Sequence, residues 1–325
     1  MPDAERPQRI PPSALQPVLQ PALHGRGTPE NPGNRFTELE LEPGLEPAPR
    51  TRFYRDDAQT AIAYNDSPDI GYRASLNPYR GCEHGCVYCY ARPTHEYLGF
   101  SAGLDFETRI MVKLAAPELL RRELSAPGWR PQVLGLSGVT DPYQPVERRL
   151  GLTRRCLAVL AEFRNPVALV TKSHLVTRDL DLLRELAEYD AVSVAVSLTT
   201  LDEGLRQALE PRAASAERRL ATIRALSEAG VPVGVLTCPI IPGRTDHEIP
   251  ALLAAARDAG ARFAGYTLLH LPHGLGELFE AWLERHLPER RARVMARVRE
   301  VRQGRLNDPR FGYRMTGVGP YAERI

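Results

Sequence analysis

From Ala74 onward, short apolar and β-branched runs alternate with segments whose apolar positions recur at helical spacing. The runs are ASLNPY (74–79), VLGLSG (133–138), VALVTKS (167–173), AVSVAVSL (191–198), VPVGVLTCPI (231–240) and FAGYTLLHL (263–271). Helical patterns begin at Ala116, Gly151, Thr177, Ser215 and Asp246, and the last two close on Gly230 and Gly260, which read as C-caps. This alternation predicts six parallel βα units with right-handed crossovers. Runs without polar alternation suit a parallel sheet covered on its outer face. The pattern alone does not separate an open doubly wound sheet from an incomplete barrel. In both, ligands sit at the carboxyl ends of the strands.

Around this core, residues 74–275, the pattern weakens. Residues 1–50 are rich in Pro, Gly and charge and read as irregular, partly disordered chain. Residues 51–73 read as an ordered lead-in without a clear period. Residues 276–325 predict one long charged helix, from about Leu278 to Gln303, and then a Gly-rich, aromatic-bearing tail that is not helical. No solenoid-type repeat is present. The 325 residues, 43% hydrophobic, suffice for one large α/β domain with extensions.

Charge changes this picture little. The 42 basic and 40 acidic residues nearly cancel, at +2, which argues against a strong nucleic-acid binder. A local basic face stays open: Arg290, Arg293 and Arg297 share one side of the last helix, with Arg291, Arg299 and Arg302 nearby. No run of about 18 apolar residues predicts a membrane span. The start, MPDAERPQRIPP, lacks the apolar core of a signal peptide, so the expected location is cytoplasmic.

The chemistry lies in the cysteines. Of five, Cys82, Cys86 and Cys89 fall in one short stretch, while Cys156 and Cys238 stand alone. An odd, clustered set is not a disulfide framework, and it fits thiolates kept for metal in a reducing compartment. Gly81-Cys82-Glu83-His84-Gly85-Cys86-Val87-Tyr88-Cys89-Tyr90 directly follows the first strand. Gly81 and Gly85 permit tight turns. Three thiolates on one loop can each bind one iron of a cubane, leaving the fourth iron open. The alternative is zinc, with His84 completing a Cys3His set. On the residues alone both stay open.

CEHGCVYC matches the CxxxCxxC signature of the radical S-adenosylmethionine superfamily, with Tyr88 as its common aromatic before the third cysteine. The wider text SLNPYRGCEHGCVYCYARPTHEY resembles the branch related to spore photoproduct lyase, often labelled DNA-repair photolyase-like, and a bacterial family within it. NRF near residue 35, SAGLDFETRI (101–110) and the tail LNDPRFGYRM extend the resemblance over most of the chain. It implies a partial (β/α)6 barrel of the TIM type and two cofactors, a [4Fe–4S] cluster and S-adenosylmethionine. It implies chelation of the methionine amino and carboxylate groups by the open iron. One-electron cleavage then gives a 5′-deoxyadenosyl radical that takes hydrogen from a substrate the motif does not name. An electron donor such as flavodoxin or ferredoxin is the implied partner.

The same resemblance orders the other candidates. Ser137, Thr140 and Asp141, after the second strand, would meet the methionine amino group; an Asp-Pro turn is the plainer reading. Lys172 would approach the cosubstrate carboxylate or ribose, Ser197 the ribose. Arg212 or Arg219 would clamp the methionine carboxylate, and apolar Ile240 with its neighbours would pack on adenine. Cys156, in an apolar helical stripe, reads as core. Cys238 is a candidate hydrogen donor or a small buried hydrophobe. His84, Arg92, His95 and Glu96 are polar groups of the cluster loop, and His270 and His273 flank the sixth strand. One departure stands out: where the lyase branch carries a hydrogen-returning cysteine, SGVTDPYQP has Gly138. Thymine-dimer reversal by that route is therefore not expected, which leaves a nucleic-acid lyase as one alternative and a zinc-stabilised binding protein as another.

Overall fold

Each of the six apolar runs becomes a strand, and four more strands lie where no period was visible. A computed structural model describes residues 25–32, 35, 50–136 and 138–325; the rest of the expected irregular segment 1–50 lies outside the described residues. The strands are β1 (Arg52–Arg55), β2 (Ile62–Tyr64), β3 (Ala74–Leu76), β4 (Tyr79–Arg80), β5 (Arg109–Val112), β6 (Leu134–Leu136), β7 (Val167–Thr171), β8 (Val192–Ser197), β9 (Val233–Ile240) and β10 (Phe263–Leu268).

Seven of them form one sheet in the order β10-β9-β8-β7-β6-β3-β2. All neighbours are parallel except β2, which pairs antiparallel with β3. From β3 to β10 the order follows the chain and never reverses. A doubly wound sheet reverses at its switch point, so this is the partial barrel. β10 and β2 remain its two ends. The small sheet β1-β5-β4 lies beside it.

One face of the strands β6 to β9 is apolar and buried. Leu134, Leu136, Val167, Leu169, Val194, Val196, Val233 and Val235 join one buried core with Leu157, Leu160, Leu183, Leu186, Ile223 and Leu226 from the covering helices. Cys156, fully buried, belongs to this core as expected. Strand alternation puts Ser75, Gly135, Ala168, Ser193, Ala195 and Gly234 on the opposite, concave face. They are small, and the Tyr72 ring lies over Gly135 and the Phe263 ring over Gly234.

The helices follow their local signals. Ser215 caps Ala216–Glu228 by accepting the Arg218 amide at 3.2 Å, and Gly230 and Gly260 sit past their helix ends with φ of 78° and 102°. The expected single C-terminal helix is instead two, Leu275–His286 and Pro288–Glu300. Proline lacks an amide hydrogen and forces the residue before it out of the helical region; Leu287 has φ −146° and ψ 53°. The tail is mostly turns, as expected, and ends in the short helix Pro320–Glu323.

Candidate functional site

The cysteine loop leaves the short strand β4 at Gly81, at the carboxyl end of the barrel's first strand. Gly81 and Gly85 have φ of 80° and 70°, which L side chains rarely adopt. A Cβ on Gly85 would lie 2.7 Å from Glu107 Oε2, and one on Gly81 2.9 Å from the Phe106 carbonyl. Cys82 and Cys86 are 8% and 7% exposed, Cys89 somewhat more, and all three thiols are free. Burial, the largest cause, pushes each thiol above its ordinary pKa. Metal binding here would therefore release protons.

The loop is tied down from below. Fully buried Arg92 donates to Cys86 O at 2.9 Å and Gly103 O at 2.9 Å, and pairs with Glu107 at 2.5 Å. The Glu107 carboxylate also accepts the Gly27 amide at 3.1 Å. Gly27 approaches so closely that its Cβ would overlap the Gly85 carbonyl. Residues 25–32, expected to be irregular, thus pack on the cluster loop, which no sequence signal announced. His95 is buried against the Arg109 carbonyl at 2.9 Å, and Glu96 pairs with Arg35.

Above the loop, one buried carboxylate gathers the candidates. Glu210 accepts from Lys172 Nζ at 3.1 Å, Thr199 Oγ1 at 2.8 Å, the Tyr88 hydroxyl and Arg219. Burial raises the Glu210 pKa, but the charges of Arg219 and Lys172 outweigh it and hold the carboxyl well below its usual range. Lys172 Nζ also donates to Ser197 Oγ at 2.7 Å and lies 5.6 Å from the Tyr88 ring centre. The ends of β7 and β8 thereby bring Lys172 and Ser197 together beside Tyr88 of the loop. Glu210 lies two residues before Arg212, and its convergence with β7 is invisible in the linear sequence.

The second-strand loop is equally bound. Asp141 accepts Thr171 Oγ1 at 2.7 Å, the Lys172 amide at 2.7 Å and the Tyr143 amide at 2.8 Å. The last is the turn geometry weighed against a ligand role. Thr140 donates its hydroxyl to the Tyr79 carbonyl at 3.1 Å. Ser137 lies outside the described residues. Asn77 Oδ1 accepts the amides of Gly138 and Val139 at 2.9 and 3.0 Å, a positioning role that was not foreseen.

Three expectations need correction. Arg219 is fully buried and donates to Ala214 O, Ser197 O and Glu210, so it presents no free fork to a methionine carboxylate. Ile240 packs with Leu268, Val301 and Ala322 under the C-terminal tail; Ile241 shares a cluster with Cys86 and Tyr88 instead. Arg302, expected on a basic face, is fully buried. Arg212 pairs with Glu83 at 3.2 Å and stays partly exposed. Cys238 lies two residues before the end of β9, its carbonyl accepting from Ser197 Oγ at 3.2 Å. His270 lies 6.0 Å from the Tyr90 ring, and His273 Nδ1 is 2.8 Å from Arg35.

The donor set suits a cubane better than one ion. His84 Nδ1 faces Asp141 Oδ2 at 3.3 Å. Among the described residues no three His, Cys, Asp or Glu side chains converge to hold a single ion. The Arg92 amide donates to the Cys89 carbonyl at 3.1 Å, which closes the loop behind the third thiol.

Comparison with known proteins agrees. The chain is 39% identical over 245 residues to an uncharacterised protein of Mycobacterium tuberculosis, covering 74% of this chain and 71% of that one. It is 27% identical over 222 residues to an uncharacterised protein of Methanocaldococcus jannaschii, covering 67% and 78%. Spore photoproduct lyase complexed with dinucleoside spore photoproduct superposes with a TM-score of 0.51 at 16% identity, over 73% of this chain and 66%, just under two thirds, of that chain. That likeness shows the fold. The model of the radical SAM superfamily, whose enzymes use a [4Fe–4S] cluster and S-adenosylmethionine, matches residues 76–256. The chain belongs to the radical SAM superfamily and is a radical SAM enzyme.

Proposed function

We propose that Cys82, Cys86 and Cys89 hold the [4Fe–4S] cluster, and that Tyr88, Asp141, Thr140, Lys172, Ser197 and Arg212 shape the adjoining S-adenosylmethionine site. The carrying observation is three free thiols, two of them buried, on one glycine-hinged loop after the barrel's first strand. When bound, the cluster and its cosubstrate supply an electron and a carbon radical able to take hydrogen from substrate. The chain's own part is binding and orientation. Lys172, clamped by Ser197, Thr199 and Glu210, offers a fixed ammonium to a carboxylate or ribose oxygen. Arg219 acts through Glu210 as a positioning residue. Ser137 enters only by its place between Leu136 and Gly138.

Cys238 stands as the candidate for returning hydrogen to product. A zinc-stabilised binding protein is not adopted, because the chain belongs to the radical SAM superfamily and, among the described residues, no three His, Cys, Asp or Glu side chains converge on a single ion. Nor is a nucleic-acid lyase, because Gly138 stands where the lyase branch carries its cysteine. We assign residues 74–275 as the catalytic core, with 51–73 and 276–325 as its flanks. No helix among the described residues is long and apolar enough to cross a membrane. The free thiols support a reducing, cytoplasmic location.

The test is anaerobic reconstitution with iron and sulfide, then S-adenosylmethionine and a strong reductant, with 5′-deoxyadenosine followed by mass spectrometry. The expected result is 5′-deoxyadenosine from the unaltered protein and none from Cys86→Ala. Zinc in place of iron, with no 5′-deoxyadenosine, would overturn the reading.

A further inference from the structure

Beside the cysteine loop opens a cleft of about 520 Å³. Arg26, Arg50, Arg149 and Arg212 line it, with Glu83 as its one acid. That acid is already taken: Glu83 accepts the Val146 amide at 2.8 Å and Arg212 at 3.2 Å. Four guanidinium groups against one carboxylate leave the cleft strongly positive. Arg149 stands 5.4 Å from the Phe53 ring centre, so one cation is paired with an exposed aromatic face.

The cleft is joined to the cysteine loop. Glu83 follows Cys82 in the chain, and the Arg212 amide donates to the His84 carbonyl at 3.2 Å. Arg26 donates to the Glu107 carbonyl at 3.3 Å, and the Glu107 carboxylate holds Arg92, which holds the Cys86 carbonyl. Cys82 and Cys86 are nearly inaccessible, so a protein carrying electrons must deliver them through a surface next to this loop. A second cavity, of about 510 Å³ between Gly243 and Arg293, has no residue of the loop in its lining.

We infer that this arginine-lined cleft is the docking surface for an acidic one-electron donor protein, of the flavodoxin or ferredoxin class. The inference rests on the radical SAM reading, whose chemistry needs a reductant. Opposite charge on the donor steers encounter and sets orientation. One electron leaves the donor's reduced flavin or iron–sulfur centre, which is oxidised by one unit. It enters the cluster held by Cys82, Cys86 and Cys89, which is reduced by one unit, with no bond made or broken in the transfer.

The experiment uses the full chain, reconstituted without oxygen, and the double variant Arg50→Glu/Arg149→Glu. Both side chains are exposed and neither belongs to the cluster or cosubstrate site. The rate of 5′-deoxyadenosine formation is measured with a reduced acidic flavodoxin and, separately, with reduced methyl viologen, a small cation. The expected result is a fall of about tenfold at low ionic strength in the flavodoxin-driven rate alone. In the unaltered protein that rate falls as salt rises. An unchanged flavodoxin-driven rate, or an equal fall with both reductants, overturns the docking surface while leaving the enzyme reading intact. No 5′-deoxyadenosine from the unaltered protein with methyl viologen overturns the enzyme reading, and the docking surface with it.

Discussion

Glu210 carries more of the site than its place in the sequence suggests. It is wholly buried and satisfied by Lys172, Thr199, Tyr88 and Arg219. Removing one member of a buried pair leaves the other charge without compensation. Glu210→Ala is therefore expected to cost about 3–5 kcal/mol in urea unfolding, because Arg219 has no water to turn to. Arg212→Ala should cost about 1 kcal/mol or less, since its guanidinium is partly exposed and Glu83 keeps the Val146 amide. Equal losses would contradict the division into a buried positioning arginine and a surface one. Lys172 and Ser197 were singled out through the family resemblance, and the structure brings them within 2.7 Å of each other at the ends of β7 and β8. Arg219 and Ile240 misled for a common reason: neighbours along the chain point to different sides, and only packing tells which side is the pocket.

The cysteine loop and the C-terminal helices show what glycine and proline decide at the scale of elements. Gly85→Ala meets both a left-handed backbone and the Glu107 carboxylate at 2.7 Å. The backbone strain alone is about 1–2 kcal/mol, and moving Glu107 loosens its hold on Arg92. The expected outcome is a lower iron-to-protein ratio after reconstitution than in the unaltered protein. Gly99→Ala is the control: φ is 78°, but nothing lies within 4 Å of its Cβ position, so iron content should hold. Equal iron in both variants would remove the loop's steric argument. Pro288 divides the C-terminal helical pattern in two, although the periodicity on either side continues through it. The broken helix matters, because Leu278, Phe279, Trp282 and Val298 pack in one cluster with Cys86 and Tyr88.

The whole molecule has an open side, and the tail crosses it. Leu268 of β10 donates to the Met315 carbonyl at 2.8 Å. Beyond it, Asp69, in the turn between β2 and β3, accepts the Gly312 amide at 2.7 Å and Arg314 at 2.6 Å. The tail therefore links the two end strands that do not pair with each other. Arg302 anchors it from inside, donating to the carbonyls of Leu268, Tyr313 and Arg314 at 2.7, 2.9 and 2.8 Å. Burial, more than any neighbour, lowers the Arg302 pKa to about 10. Asp69→Ala should free the tail at little cost to the core. The expected sign is faster tryptic cleavage after Arg310 or Arg314 with an almost unchanged melting temperature, whereas unchanged cleavage would deny the strap.

Local information determined much of this protein. Apolar runs of strand length, helix periodicity, caps and a three-cysteine loop are each written within a few adjacent residues, so the six βα strands and the family resemblance could be read directly. Tertiary structure decided the rest. Strand order, which makes a partial barrel rather than a doubly wound sheet, depends on pairings between residues far apart in the chain. So do the packing of residues 25–32 on the loop, the strands β1 and β5 that pair without a sequence period, and the course of the tail. The convergence of Glu210, Lys172 and Tyr88 has the same origin: a buried charge is tolerated only where partners meet it, and that meeting is a property of the folded chain.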